Sequence, residues 1–335
     1  MLTHSRTSLP RFIHLVVVLT VTLQVSALAS AAAPKAALGD AEVRAFMERG
    51  VPVMPQVVSL VGAATVPEAD SGAFLEAIER LASQRSRIDA VIPRLSKRWS
   101  AVLADGRDGA KGGKRLLRRI DAHAPLRSAV VGASLRRAGD TPLGGPLAGG
   151  INLGPTFGLL GKLLAGDIVV ALARGELPEA SEAAVRMLRY GALIADSART
   201  LDELSSGLRI TRDALGGMLM LPVDDSRTEG RGTAKDMRAV RRILGEYSAE
   251  LKRVRKTFDT SKSLKSLASY ATASSSALWR YEAFKALRGV AWSGIGTARG
   301  QEAEALLRKI AESGSGPGDA KRAAAQTLLK LKASR

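Results

Sequence analysis

Apolar positions recur in alternating steps of three and four along most of this 335-residue chain. That period lines one face of an α-helix and demands a neighbour to cover it. From Gly72 to Leu103 the stripe is Phe74, Ile78, Leu81, Ile88, Ile92, Leu95, Trp99 and Val102, with Arg85 breaking it. Pro93 predicts a kink or a split there, since proline lacks the amide donor and collides with the preceding turn. A second stripe, Met237, Val240, Leu244, Tyr247, Leu251, Val254 and Phe258, runs without a miss. It is a three-heptad seam of the kind that packs inside a hairpin or bundle. Its outer face carries Arg238, Arg241, Arg242, Lys252, Arg253, Arg255 and Lys256. Shorter helices are predicted over Asp40–Arg49 and around Leu264, Leu267 and Tyr270, after a break at Ser261–Ser263.

The segments 114–139 and 159–222 are also helix-rich, and Leu201, Leu204, Leu208, Leu215 and Leu219 mark an apolar face in the second. No segment sustains a period of two; the run 56–62, "QVVSLVG", is the best strand candidate. The expected fold is all-α, a helical bundle or irregular α-solenoid of antiparallel helical hairpins. Gly, Pro and short polar residues mark 104–113, 138–158, 222–236 and 312–319 as connections. The stretch 143–173 is apolar, but Pro146, Pro155, several glycines, Lys162 and Asp167 interrupt it and argue against a membrane span.

Composition narrows the core. Hydrophobic residues make up 46% of the chain but aromatics only 4%. The interior must be built mainly from Ala, Leu, Val and Ile, which suits close helix packing. There is no cysteine, which excludes disulfides, thiolate metal sites, a cysteine nucleophile and a lipidated N-terminal cysteine.

The first 29 residues read as a signal peptide: Arg6 and Arg11 precede an apolar run from Phe12 to about Leu23, followed by the small-x-small pattern Ala27-Leu28-Ala29. Cleavage is expected before Ser30, giving a periplasmic or secreted protein without an integral span. The alternative is an uncleaved N-terminal anchor, since Phe12–Ala29 approaches spanning length. The remaining organisation is an N-terminal helical region (30–221), a linker (222–234) and a C-terminal helical region (235–335).

The formal charge is +18; residues 1–29 hold Arg6, Arg11 and no acid, so cleavage lowers it by two, to +16. Such a balance favours anionic partners, although basic residues also serve simply as solvated faces. Lys114, Arg115, Arg118, Arg119, Arg136, Arg137, Arg241 and Arg242 are the candidate contacts for an anionic partner. Scarce aromatics and the lack of a reading motif argue against nucleic acid.

Two stretches carry family resemblances. Gly175-Glu176-Leu177-Pro178-Glu179-Ala180 resembles the turn of a tetratricopeptide repeat, with Ala180 where two helices come closest. No second copy follows at the repeat's period of about 34 residues, and its usual aromatic positions hold aliphatics. Residues 278–332 resemble HEAT-type solenoid hairpins. There Ala303, Leu306, Leu307 and Ile310 face a first helix, Asp319 stands at a cap, and Lys321, Arg322, Ala323, Ala324, Ala325, Leu328, Leu329 and Leu331 form a second. The middle of the chain is similar to uncharacterised exported helical proteins of Gram-negative bacteria, which implies no activity.

Candidate chemistry is sparse. Of His4, His14 and His123, only His123 lies beyond the signal peptide, which excludes multi-histidine metal sites. The carboxylate pairs Glu176/Glu179, Asp224/Asp225 and Glu302/Glu304 sit at turns or helix starts, where acids complement the helix dipole. Gly161-Lys162 fails as a phosphate loop because Leu163 replaces the hydroxyl; Gly113-Lys114 fails because Asp108 and Arg115 occupy motif positions. In 105–109, "DGRDG", Arg107 occupies a calcium-ligand position. No cofactor is implied. The expectation is a non-enzymatic scaffold presenting a basic helical surface to a protein or envelope component. The alternatives are an electrostatic binder of anionic polymers or lipids, and an enzyme working through carboxylates or serine.

Overall fold

The computed structural model describes residues 38–49, 51, 83, 153–196, 198–219, 221, 234–260, 263–274, 276–313 and 318–334. Among the described residues there are nine helices and no strand: α1 (Asp40–Arg49), α2 (Gly154–Arg174), α3 (Leu177–Asp196), α4 (Leu201–Met218), α5 (Ala234–Thr260), α6 (Leu264–Ala273), α7 (Ala277–Ser293), α8 (Ala298–Glu312) and α9 (Gly318–Ala333). The all-α expectation holds, as antiparallel hairpins. The signal peptide, the strand candidate at 56–62, the segment 114–139 with His123, and Asp224/Asp225 lie outside the described residues. So does the Gly72–Leu103 helix, apart from Ser83, which is helical.

Local sequence explains the helix ends. Gly175 closes α2 with a left-handed φ of 78°. Its N–H bonds the Leu172 carbonyl at 3.1 Å and the next N–H, of Glu176, bonds that of Ala171 at 2.9 Å. This C-terminal motif is open to glycine without strain. Thr200 caps α4 by accepting the Glu203 N–H, Ser263 caps α6 through that of Ser266, and Thr297 caps α8 through that of Gly300.

The stripes become the core. Met237, Val240, Leu244, Tyr247, Leu251, Val254 and Phe258 of α5 are all buried. Ala180 is fully buried at the start of α3, as the elbow at Gly175 predicts. In the C-terminal hairpin Ala303, Leu307 and Ile310 are buried, and Leu306 is partly so. Leu331 also points inward, but Leu329 is 69% exposed.

Two expected boundaries need correction. The connection placed at 138–158 ends earlier, because α2 starts at Gly154 with Pro155 in its first turn. Proline is tolerated there because the first amides of a helix have no partner within it. Its glycines are packing positions: a Cβ at Gly154 would meet the Asp202 side chain at 2.5 Å, and one at Gly161 would strike Ile210 of α4. Gly161-Lys162 therefore lies inside a packed helix. Likewise α9 runs Gly318–Ala333, so Gly318 and Asp319 belong to the helix and not to the connection placed at 312–319.

The helices α2, α3 and α4 pack each on the other two. The helices α6 to α9 stack in series, each on the next and on the one after. Between them α5 touches α4 and α7. The short α1, first in sequence, docks far down the chain. Phe46 stacks on Tyr247 of α5 with ring centroids 4.7 Å apart and meets Trp279 of α7 edge-on at 5.9 Å. Phe258 adds edge contacts to Tyr270 and Trp279. Arg49 pairs with Glu250 at 2.6 Å, and Ser266 of α6 donates to Asp40 at 2.6 Å. One apolar core runs from Leu38 to Leu331. The window Gly154–Leu172 has a mean hydropathy of 1.5, long and apolar enough to cross a membrane by length and composition, and is 71% buried within the fold.

Candidate functional site

The start of α4 is where the helical units are tied together. Thr200 and Glu203 form the side-chain pattern of a capping box, and the Glu203 amide donates to the Thr200 hydroxyl at 3.1 Å. The Glu203 carboxylate, fully buried, accepts the N–H of Arg199 at 2.9 Å and that of Leu153, ahead of α2, at 3.1 Å. From α7, buried Glu282 accepts the N–H of Leu201 at 2.9 Å. From α5, Arg255 holds Asp202 at 2.7 Å. Two acids thus accept backbone amides and a third holds a guanidinium, which together fix α2, α5 and α7 around one helix end. Burial pushes the Glu282 carboxyl above its ordinary range, partly opposed by the Leu201 N–H and the Lys285 ammonium.

Beside this node a cleft of about 600 Å³ opens between α2, α4 and α5. The lining includes Lys162 from α2, Arg209 and Arg212 from α4, and Lys252 from α5. It also includes Asp202, the hydroxyls of Ser205, Ser206 and Ser248, and the first turn of α2 at Gly154, Pro155 and Gly158. Among the described residues Asp202 is the only acid in the lining, and it is held by Arg255. Ser206 donates to the Gly154 carbonyl and Ser248 to that of Leu244. Arg209 and Arg212 stand one turn apart on the same helix face. A methyl at Gly158 would come within 2.8 Å of the Arg209 guanidinium; the missing side chain is what lets that guanidinium lie against α2.

The sequence-stated contacts distribute unevenly. Lys114, Arg115, Arg118, Arg119, Arg136 and Arg137 lie outside the described residues. Arg241 and Arg242 are adjacent on α5 but part company. Arg241 is half-buried against the end of α4, where burial and the Arg212 guanidinium disfavour its charge while Asp213 favours it. Arg242 projects into solvent, 76% exposed, with only a long 3.9 Å pairing to Glu246. Sequence reading missed Arg209 and Arg212, and took Lys162 as an interruption of an apolar run and as part of a failed phosphate loop. The available signal was Arg209 and Arg212 at i and i+3 beside the buried leucine face of α4. It also missed Glu203 and Glu282, although Thr200-x-x-Glu203 is a legible capping pattern.

Of the carboxylate pairs, Glu176 and Glu179 are both exposed, and Glu304 pairs with Arg308 at 3.4 Å while Glu302 is exposed. Among the described residues no group of three or more His, Cys, Asp or Glu is close enough to hold a metal ion. In comparisons with protein families, curated proteins and solved structures, nothing matches this chain.

Proposed function

We propose that this protein is an exported, non-catalytic helical scaffold that presents a basic helical surface, centred on the cleft between α2, α4 and α5, to an anionic partner of the envelope. One observation carries the reading. Lys162, Arg209, Arg212 and Lys252 line the cleft together, while among the described residues its lining holds one acid, Asp202, which is paired with Arg255. Concentrated positive charge in a concave surface focuses field lines and draws anions. The serial stacking of α6 to α9 supports the HEAT-like character, since stacked repeats contact chiefly their neighbours. The elbow at Gly175 supports a hairpin of the tetratricopeptide kind.

Retention of the full chain on a heparin resin at two salt concentrations tests this. Strong retention at low salt and loss at several-fold higher salt is expected, because screening shortens the reach of exposed charge. The double variant Arg209→Glu/Arg212→Glu should elute earlier than the parent. Retention that ignores both salt and the variant sinks the reading. A second reading, a protein partner held by apolar contact, draws on the exposed Trp292, Ile295 and Leu329. It predicts partner capture that survives high salt.

A further inference from the structure

We infer that the cleft is a defined site for a phosphoryl group. The inference deepens the scaffold reading and rests on its claim that this cleft is a binding surface. Arg209, Arg212 and Lys252 line the cleft and make no hydrogen bond or ion pair among the described residues. Asp213 lies within electrostatic reach of Arg212, Arg209 and Arg241 but does not line the cleft. With Lys162 of α2, cations from three helices line one volume in which the described acid, Asp202, is held 2.7 Å from Arg255.

The charge and donor geometry select among anions. Two guanidinium forks on one face of α4 offer paired N–H donors suited to a planar or tetrahedral oxyanion. The ammonium groups of Lys162 and Lys252 approach from α2 and α5. Of the three serines only Ser205 has a hydroxyl proton not already given to a helix carbonyl. A carboxylate brings one charge and two oxygens, too few for this set. A phosphomonoester brings up to two charges and three terminal oxygens, and can accept from the arginines, the lysines and Ser205 together. The volume of about 600 Å³ leaves room for the group that carries the phosphate.

Arg209 lies against α2 at Gly158. Its guanidinium occupies the space over Gly158 that any other residue would fill. This gives a variant that alters the site without altering its charge.

Calorimetric titration of the full chain with inorganic phosphate, pyrophosphate and acetate tests the site. Saturable binding of phosphate and pyrophosphate is expected, with acetate weaker. Arg209→Gln/Arg212→Gln should weaken phosphate by about tenfold or more, the loss of hydrogen bonds to a charged group. Gly158→Ala should also weaken it, whereas Arg242→Gln on the outer face should not. Circular dichroism verifies that each variant keeps its helices. Vesicles of phosphatidic acid and soluble glycerol phosphate separate two sources of the same chemistry: tighter binding to the vesicles assigns the phosphate to a lipid headgroup, and equal binding to a soluble ligand. A flat phosphate titration, acetate as tight as phosphate, or an equal loss in Arg242→Gln overturns the site. Heparin retention that persists while phosphate binding is absent removes the phosphoryl site and leaves the scaffold reading standing.

Discussion

Glu282 accepts the backbone N–H of Leu201 at 2.9 Å, across 81 residues of chain. The start of α4 is thereby closed by a side chain from α7, in a buried setting where water cannot substitute. Glu282→Ala would leave that amide without an acceptor and cost about 1–3 kcal/mol. Glu282→Gln keeps an acceptor oxygen and should cost less. The two are separated by chemical denaturation.

The same residue carries a pH signature. Burial raises its carboxyl pKa above the ordinary 4.5, so the folded chain holds that proton more tightly than the unfolded one. The associated stabilisation is fully present below pH 4.5 and is lost as pH rises through the folded value. The stability of the parent relative to Glu282→Gln should decline over that window and then level off. A difference that stays constant from pH 4 to 7 contradicts this.

Tyr247 gives the alkaline counterpart. Burial pushes its phenol up to about 12, with Arg49 lowering it and Glu250 raising it. Its protonated form is favoured by the fold, so stability present at pH 10 is lost as pH climbs toward 12. The loss is on the order of 2–3 kcal/mol. Tyr247→Phe should flatten that part of the stability profile; burial also raises Tyr190, Tyr270 and Tyr281, so absorbance titration of the parent should show all four tyrosines ionising later than a free phenol, and the variant should lose one of them.

Phe46 tests the docking of α1. It stacks on Tyr247 and meets Trp279 edge-on, and it is fully buried. Phe46→Ala should cost about 3–5 kcal/mol and change the Trp279 contribution to near-ultraviolet circular dichroism. An unchanged spectrum and midpoint would mean that α1 does not hold the C-terminal helices.

Glycine substitutions separate close packing from mere helix propensity. A Cβ at Gly191 would sit 2.5 Å from the Thr211 amide nitrogen, and one at Gly207 equally close to that of Ala195. Alanine at either position should destabilise by about 1–3 kcal/mol through overpacking. Gly289, in α7, has no neighbour within 4 Å of that point. There alanine should stabilise by about 0.5–1 kcal/mol, the ordinary helix-propensity gain. Thermal midpoints of the three variants decide the matter.

Much of the secondary structure was legible in the residues themselves. The α5 seam from Met237 to Phe258 is a local period, and its side chains are buried as the period requires. Asp40–Arg49 and the helix at Leu264 follow from the same rule, and Gly175 ends α2 because its left-handed turn favours glycine. The cleft was less legible. The cations at 162, 209, 212 and 252 are scattered in sequence and carry no motif, so their convergence depends on how α2, α4 and α5 pack.

The amino-acid order by itself determined where rods form, which face each buries and how several of them end, because those are interactions within a few residues. Only the tertiary structure decided that α1 docks on Tyr247 and Trp279, that Glu203 and Glu282 close α2 and α4 across helices, and that Arg241 and Arg242 face different surroundings. The physical reason is that a helical stripe specifies that a partner must exist, while close approach at residues such as Gly161 and Gly191 and buried hydrogen bonds select which partner it is.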